Sequence, residues 1–416
     1  MEALVINGGM PLHGSVPISG AKNAVLPILA ATVLHGGKYV LCNCPDIADV
    51  RTAVEILQTL GAQVTRVGDV LSVDTRDLCG YMIPGRLMLQ MRASVLFLGP
   101  LLARHGRAVL TLPGGCPLGH RPIDLHLQTM SQLGAAVTLV EEQIRCHGPV
   151  LHGGTVCFPF PSVGATENAI MAAVACHGSV TIHNAAKEPE ICDLAAFLQA
   201  MGAEIKGVGT HTLYITGGMP LHDADYTIMP DRIETATYLC AAAACGGEVT
   251  LQGAHSDHLI PVIQTLRQAG CTIEEQDGIT IRSDAVLTSV EEIETAPYPG
   301  FPTDAQAPVM AALLRARGKT RFSETVFEQR FAHVPQLRRF GADIRLSGAA
   351  AVVSGVETLV PARTEACDLR AAAALVIAAL QTQGESRIFG LKHLDRGYDN
   401  PERKLSSLGA SIRRAQ

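Results

Sequence analysis

The sequence has no surplus of positive charge: 33 Lys and Arg stand against 39 Asp and Glu, a formal net charge of -6. A general nucleic-acid or anionic-membrane surface is therefore not indicated, and any anion site has to be local. No apolar run reaches the roughly 18 residues of a membrane helix, and the start, Met1-Glu2-Ala3-Leu4-Val5, has no basic region ahead of an apolar stretch. The expected location is the cytoplasm. No Cys-x-x-Cys pair occurs, so a zinc site is not expected. Of the 12 cysteines, Cys176, Cys240 and Cys245 lie in Ala-rich apolar surroundings, where free thiols act as small hydrophobes rather than disulfide partners. What remains is a chain of 416 residues, 47% hydrophobic and 17% charged, enough for a large core and for two domains.

A glycine that closes a helix-period stretch and opens a strand recurs at Gly61, Gly134, Gly202, Gly270, Gly341 and Gly409. The period is about 70 residues, which makes the chain six versions of one unit. Each glycine suits the left-handed residue after a helix end. Upstream in each unit lies an alanine-rich segment, at 24–31, 94–103, 165–175, 235–244, 305–314 and 369–379. These are apolar around most of their circumference, which predicts helices buried on nearly all sides. The unit reads strand, buried helix, strand, outer helix, strand, strand, giving an α/β fold of six βαβαββ units divided three and three.

Polar residues stand just before or within the first turn of each buried helix: Lys22-Asn23, Arg92, Ser162-Val163-Gly164, Asp231-Arg232 with Glu234, Thr303-Asp304, and Asp368 with Arg370. A helix N-terminus offers unpaired N–H groups and about half a positive charge. If the buried helices of two domains aim these ends at one cleft, the cleft is an anion trap. Taken singly, Asp304 and Asp368 would also serve as ordinary caps. A second polar set opens the outer helices: Asp46 to Asp49, Arg121-Pro122-Ile123-Asp124, Glu188-Pro189-Glu190, Arg330-Phe331 and Asp395-Arg396-Gly397. Arg121, Arg330 and Arg396 hold related places in three units. Unit charges about 4 Å apart at an effective dielectric near 20 interact by about 4 kcal/mol, so converging arginines call for an anion between them. The expected ligand carries phosphate and carboxylate; an ordinary salt bridge on a solvated face is the alternative for each Arg.

The stretch from Leu112 to Asp124 is rich in glycine and proline, which excludes helix and strand interior and leaves a loop able to approach a ligand. Cys116 sits within it, with His120 and Arg121 close by, and nearby positive charge makes a thiol more acidic than its usual pKa of about 8.5. A mobile surface loop with an incidental cysteine is the other reading of this stretch alone.

Taken together, Ser19-Gly20-Ala21-Lys22-Asn23-Ala24, Met91-Arg92-Ala93-Ser94, Pro113-Gly114-Gly115-Cys116, Arg121-Pro122-Ile123-Asp124-Leu125-His126, Pro161-Ser162-Val163-Gly164, Phe301-Pro302-Thr303-Asp304, Glu324-Thr325-Val326-Phe327-Glu328 and Asp395-Arg396-Gly397-Tyr398 resemble the UDP-N-acetylglucosamine 1-carboxyvinyltransferases. These are the enolpyruvyl transferases of the first committed step of peptidoglycan precursor synthesis. The resemblance runs from about residue 5 to residue 412. Sister enzymes that make 5-enolpyruvylshikimate 3-phosphate share the architecture without the cysteine loop, and remain an alternative together with a non-catalytic UDP-sugar-binding paralogue. A cysteine hydrolase pairing Cys116 with His126 is a further alternative from another enzyme class. Leu118-Gly119-His120, Gln336 and Asp399-Asn400-Pro401 depart from the family pattern, none at a position given a chemical role.

The resemblance implies an inside-out α/β barrel in two domains with a cleft between them, one over residues 22–229 with the Cys116 loop, the other over 1–21 plus 230–416. It implies addition of the sugar 3-hydroxyl to phosphoenolpyruvate, then loss of phosphate from a tetrahedral ketal, with no cofactor and no metal. Cys116 would be the acid at C3 and a site of covalent pyruvate or fosfomycin adducts, and Asp304 the base. Lys22, Arg92, Arg121 and Arg396 would hold phosphate, with Arg330 and Arg370 on carboxylate. Asn23 would bind a sugar hydroxyl, residues Arg121, Pro122, Ile123, Asp124 and Leu125 would line the uracil, and Ser162, Val163 and Gly164 would hold the diphosphate. Val326 would touch the sugar nucleotide, and Asp368 would pair with Lys22. Neither nucleic acid nor membrane is expected as a partner.

Overall fold

The computed structural model describes residues 2–114 and 122–415; Cys116, Leu118, Gly119, His120 and Arg121 lie outside the described residues. The described chain divides into two compact units, residues 20–229 and residues 2–19 together with 230–415. Each has its own hydrophobic core, and each holds three of the six sheets.

One sheet shows the pattern of all. Strand His152–Cys157 leads into helix Val163–Ala173, and strand His177–His183 returns parallel beside the first. Helix Pro189–Ala200 follows, and the hairpin Glu204–Lys206 and Thr212–Thr216 adds two antiparallel strands, so the order across the sheet is third, fourth, second, first. In another sheet the first strand shrinks to a single bridge, Met82 to Val109. In two units the linear order of strand and buried helix does not hold. Strand Leu12–Pro17 precedes helix Lys22–Ala31 in sequence but pairs with Gly247–Gln252, which follows helix Arg232–Cys245. Strand Ala224–Thr227 precedes that helix but pairs with Lys38–Cys42, after Lys22–Ala31. The chain leaves one unit and enters the other between strand and helix. Strand Ala3–Gly8 completes a sheet whose other strands come from residues 363–415.

The buried helices are Lys22–Ala31, Leu98–His105, Val163–Ala173, Arg232–Cys245, Thr303–Ala312 and Leu369–Leu380. Alanine at most contact positions lets the last three pack closely on one another. Gly99 does the same for the second and third, since a Cβ there would lie 2.7 Å from the Asn168 carbonyl oxygen. A 3-10 turn, Arg92–Phe97, leads into the second helix, Leu98–His105. Pro27 and Pro308 occupy the same place in their helices, and neither can donate to the carbonyl four residues back, which belongs to Asn23 and Asp304. The six recurrent glycines each follow an outer helix with φ between 85° and 110°, the left-handed conformation expected of them.

Candidate functional site

In the unit of residues 230–415, helix Thr303–Ala312 starts after Pro302 without a side-chain cap, leaving Asp304 in its first turn to be held by arginines. Arg330 donates from Nη2 to Asp304 Oδ1, and Arg370 donates from Nη2 to Oδ2 at 2.9 Å. The two arginine side chains are 3% and 5% exposed and the Asp304 side chain 27%, so the carboxylate is the member of the trio that faces outward. Arg330 also donates to the Thr303 carbonyl from Nε and Nη2, at 3.2 and 3.1 Å. Burial opposes the charge on Arg370, but Asp304, with Tyr398 and Asp231 behind it, more than offsets this and raises its pKa. The trio carries a net positive charge with its strongest hydrogen bonds already made, a rigid start for an anion site. The anion between buried arginines is here one of the protein's own.

Glu324 fixes the register of this corner. It accepts from Thr303 Oγ1 at 3.2 and 3.0 Å, and its Oε1 takes the N–H groups of Val326 and Phe327 at 2.9 and 3.0 Å. Arg396 closes the short turn Leu394–Arg396. The adjacent Asp395 is gripped by Arg414 of the last strand, whose Nη1 lies 3.1 Å from Oδ2, and Arg414 Nε reaches Glu402 at 2.7 Å.

Two of the six helix starts correct the expectation of an anion trap. Asp231 Oδ1 accepts from the N–H groups of Ile233 and Glu234 at 2.7 and 3.0 Å, and Asp368 Oδ1 from those of Arg370 and Ala371 at 2.8 and 3.0 Å. Their own carboxylates fill the places an anion would take.

In the unit of residues 20–229, Lys22 is the first residue of its helix, and its Nζ lies 2.8 Å from Asp49 Oδ2. Lys22 thus finds a carboxylate within its own unit, while Asp368 caps its own helix. Asp49 belongs to the first turn of the outer helix Ala48–Thr59; the sequence marked that turn as polar but not its partner. Asn23, half-buried, is next on the helix. Arg92 Nη2 donates to the Pro122 carbonyl at 3.0 Å, and Ile123 leads into helix Asp124–Gln132, where Leu125 is buried. Helix Val163–Ala173 starts after Ser162 with no side-chain cap. A Cβ on Gly164 would lie 3.1 Å from His126 Cε1, so glycine lets that imidazole close against the helix start.

His126 is an interior residue. Its Nδ1 lies 2.8 Å from Asn168 Nδ2, and Asn168 also bonds the Val95 carbonyl and the Gly99 N–H. Burial, aided by Arg92, pulls its pKa down to about 3 and holds it neutral. An imidazole fixed this way speaks against the cysteine-hydrolase reading. Among the described residues no group of three His, Cys, Asp or Glu is arranged to hold a metal, and no helix is long and apolar enough to cross a membrane.

The family model for EPSP synthase (3-phosphoshikimate 1-carboxyvinyltransferase) matches residues 6–405. The UDP-N-acetylglucosamine 1-carboxyvinyltransferase of Zymomonas mobilis is 47% identical, covering 100% of this chain and 99% of its own. UDP-N-acetylglucosamine 1-carboxyvinyltransferase 2 of Carboxydothermus hydrogenoformans is 48% identical with the same coverage. Among solved structures, the enolpyruvyl transferase NikO from Streptomyces tendae aligns over 100% of this chain and 99% of its own with a TM-score of 0.91 at 26% identity. An EPSP synthase from Acinetobacter baumannii aligns over 100% of both chains with a TM-score of 0.76 at 17% identity, a likeness of fold. The chain belongs to the enolpyruvyl transferase family and, within it, to the UDP-N-acetylglucosamine 1-carboxyvinyltransferases.

Proposed function

We propose that this protein transfers the enolpyruvyl group of phosphoenolpyruvate to the 3-hydroxyl of UDP-N-acetylglucosamine and releases phosphate, the reaction that commits the sugar nucleotide to peptidoglycan. The observation that carries the reading is the carboxylate of Asp304, seated on two buried guanidinium groups at an uncapped helix start, in a chain 47% identical over its length to a relative of that name.

The chemistry needs an acid at C3 and a base for the sugar hydroxyl. Cys116 gives its proton to C3, making C2 electrophilic; Asp304 takes the hydroxyl proton as oxygen adds to C2. The ketal then collapses: the bond from C2 to phosphate breaks as the leaving phosphate takes the proton Asp304 holds, and C3 returns a proton to the Cys116 thiolate, leaving the enol ether and both side chains as they began. When Asp304 is protonated, Arg330 and Arg370 lose their counter-ion, and their charge becomes available to the carboxylate of the adduct. Lys22, Arg92, Arg121 and Arg396 bind phosphate. Asn23, the segment from Arg121 to Leu125, Ser162 to Gly164, and Val326 bind the sugar nucleotide. The partners are these two small molecules, and the reaction belongs in the cytoplasm. The chemistry calls for no organic cofactor, because phosphoenolpyruvate brings its own leaving group.

The test is phosphate release measured with each substrate alone and with both. Release that requires phosphoenolpyruvate and UDP-N-acetylglucosamine together is expected. Release with shikimate 3-phosphate as acceptor, or none with either, would overturn the reading.

A further inference from the structure

Tyr398 stands two residues beyond the Arg396 turn, buried, with its ring centroid 5.8 Å from the Arg370 guanidinium carbon. Its phenol oxygen lies 3.3 Å from Arg370 Nη1 and 2.7 Å from Thr237 Oγ1. Thr237 Oγ1 in turn donates to the Ile233 carbonyl at 2.9 Å. A hydroxyl has one proton to give. Because that of Thr237 goes to the carbonyl, the phenol must donate to Thr237, which leaves a phenol lone pair for the Arg370 N–H. The chain therefore runs one way, from Arg370 through Tyr398 and Thr237 to a backbone carbonyl of helix Arg232–Cys245. At its other end Arg370 Nη2 holds Asp304 Oδ2 at 2.9 Å.

We propose that Tyr398, oriented by Thr237, is a positioning residue that aims Arg370 at Asp304 for the transfer reaction. The inference rests on the functional reading above. A guanidinium is a flat, rigid fork, so partners on both terminal nitrogens set its plane. Asp304 alone sets one of them. Without the phenol oxygen, Nη1 is a buried donor with this partner gone, the plane tilts, and the carboxylate loses a fixed donor on the oxygen it presents to Arg370. Tyr398 also follows directly on the segment that carries Arg396, so the same hydrogen bond registers that turn against the start of helix Leu369–Leu380.

Tyr398→Phe keeps the ring and removes only the oxygen. In steady-state phosphate release, its kcat/KM for phosphoenolpyruvate is expected to fall about ten- to a hundred-fold, with KM for UDP-N-acetylglucosamine within about two-fold of the unsubstituted protein. Thr237→Val is expected to show a smaller loss of the same kind, and Thr237→Ser, which keeps the hydroxyl, to restore the rate. Activity of the unsubstituted protein with both substrates establishes the reaction separately. Given that activity, an unchanged kcat/KM in Tyr398→Phe, a loss that appears only as a raised KM for UDP-N-acetylglucosamine with kcat intact, or Thr237→Ser as impaired as Thr237→Val would overturn the proposal. Should Tyr398→Phe fail to fold, the Thr237 pair decides alone.

Discussion

Lys404→Met removes one ammonium group while keeping most of the side-chain length. Lys404 Nζ donates to Glu234 Oε1 at 2.8 Å and to Ser19 Oγ at 2.6 Å, and Glu234 Oε2 accepts from the Ser19 N–H at 2.7 Å. These contacts join the first segment of the chain, the segment that returns after residue 229, and the last outer helix. The Glu234 side chain is 3% exposed and that of Lys404 15%, so water cannot replace the lost partner. Stranding one member of a buried pair costs about 3–5 kcal/mol. The surviving Ser19 N–H bond, and the option of protonating the acid, put the expected cost near the lower end, about 3 kcal/mol. At about 2–4 °C per kcal/mol for a unit of this size, the melting transition of residues 2–19 with 230–415 should fall by about 6–12 °C. The pH dependence gives a second handle. Burial raises the Glu234 pKa and Lys404 opposes the rise, so removing Lys404 raises it further. A carboxyl whose folded pKa lies above its unfolded value, about 4.3, loses stability as pH climbs through and beyond that value. The deficit of the variant should therefore be large at pH about 8 and shrink toward pH about 4.5, where both proteins carry more of the neutral acid. Paired calorimetric melts at the two pH values read this directly. Equal melting at the higher pH, or a deficit that widens in acid, would refute the reasoning.

Cys116→Asp keeps an acid, so phosphate release should persist while labelling by a thiol-alkylating epoxide such as fosfomycin is lost; continued labelling, by mass spectrometry, would remove Cys116 from the assignment. Asp304→Ala should cut turnover about a hundred- to ten-thousand-fold, with UDP-N-acetylglucosamine binding by calorimetry nearly unchanged. Folding lowers the His126 pKa to about 3, below its unfolded value near 6.5, so stability present above about 6.5 is lost as pH falls through that window. His126→Asn should flatten that slope in melts of residues 20–229, and an unchanged slope would contradict it. Ala374, fully buried where its helix meets its neighbours, leaves no room for extra methylenes, and Ala374→Leu should lower stability by about 1–3 kcal/mol in a denaturant titration.

Much of this architecture is legible in the residues because its local causes are. The six glycines announce the ends of the outer helices through a conformation other residues avoid, and alanine-rich segments announce burial on all sides. Strand partners were not legible. Nothing within Leu12–Pro17 tells that Gly247–Gln252 lies beside it, more than half the chain away. At the candidate site the same division holds. Asp304 and Arg370 stand out as charges at the starts of apolar helices and Arg330 at the entry of an outer one, whereas the closing of both arginines onto Asp304, and of Lys22 onto Asp49, depends on contacts between segments far apart in sequence. Asp368 could be read as a cap or as a partner for Lys22, and only the backbone geometry selects the cap.

Strand Ala3–Gly8 precedes every other described strand in the sequence, yet its neighbours are Gly384–Phe389 and Ser411–Ala415, the two that come latest among them. The three sheets of residues 20–229 draw every strand from within that stretch and can be finished while the earlier strand still waits. At about 5–20 residues per second, the nascent chain carries Leu4 and Ile6 without their final cover for tens of seconds, long enough for a chaperone to find them. Because Ala3 ends opposite Ala415, linking these two residues and opening the chain at the Ser19–Gly20 crossing would turn this long-range pairing into a hairpin.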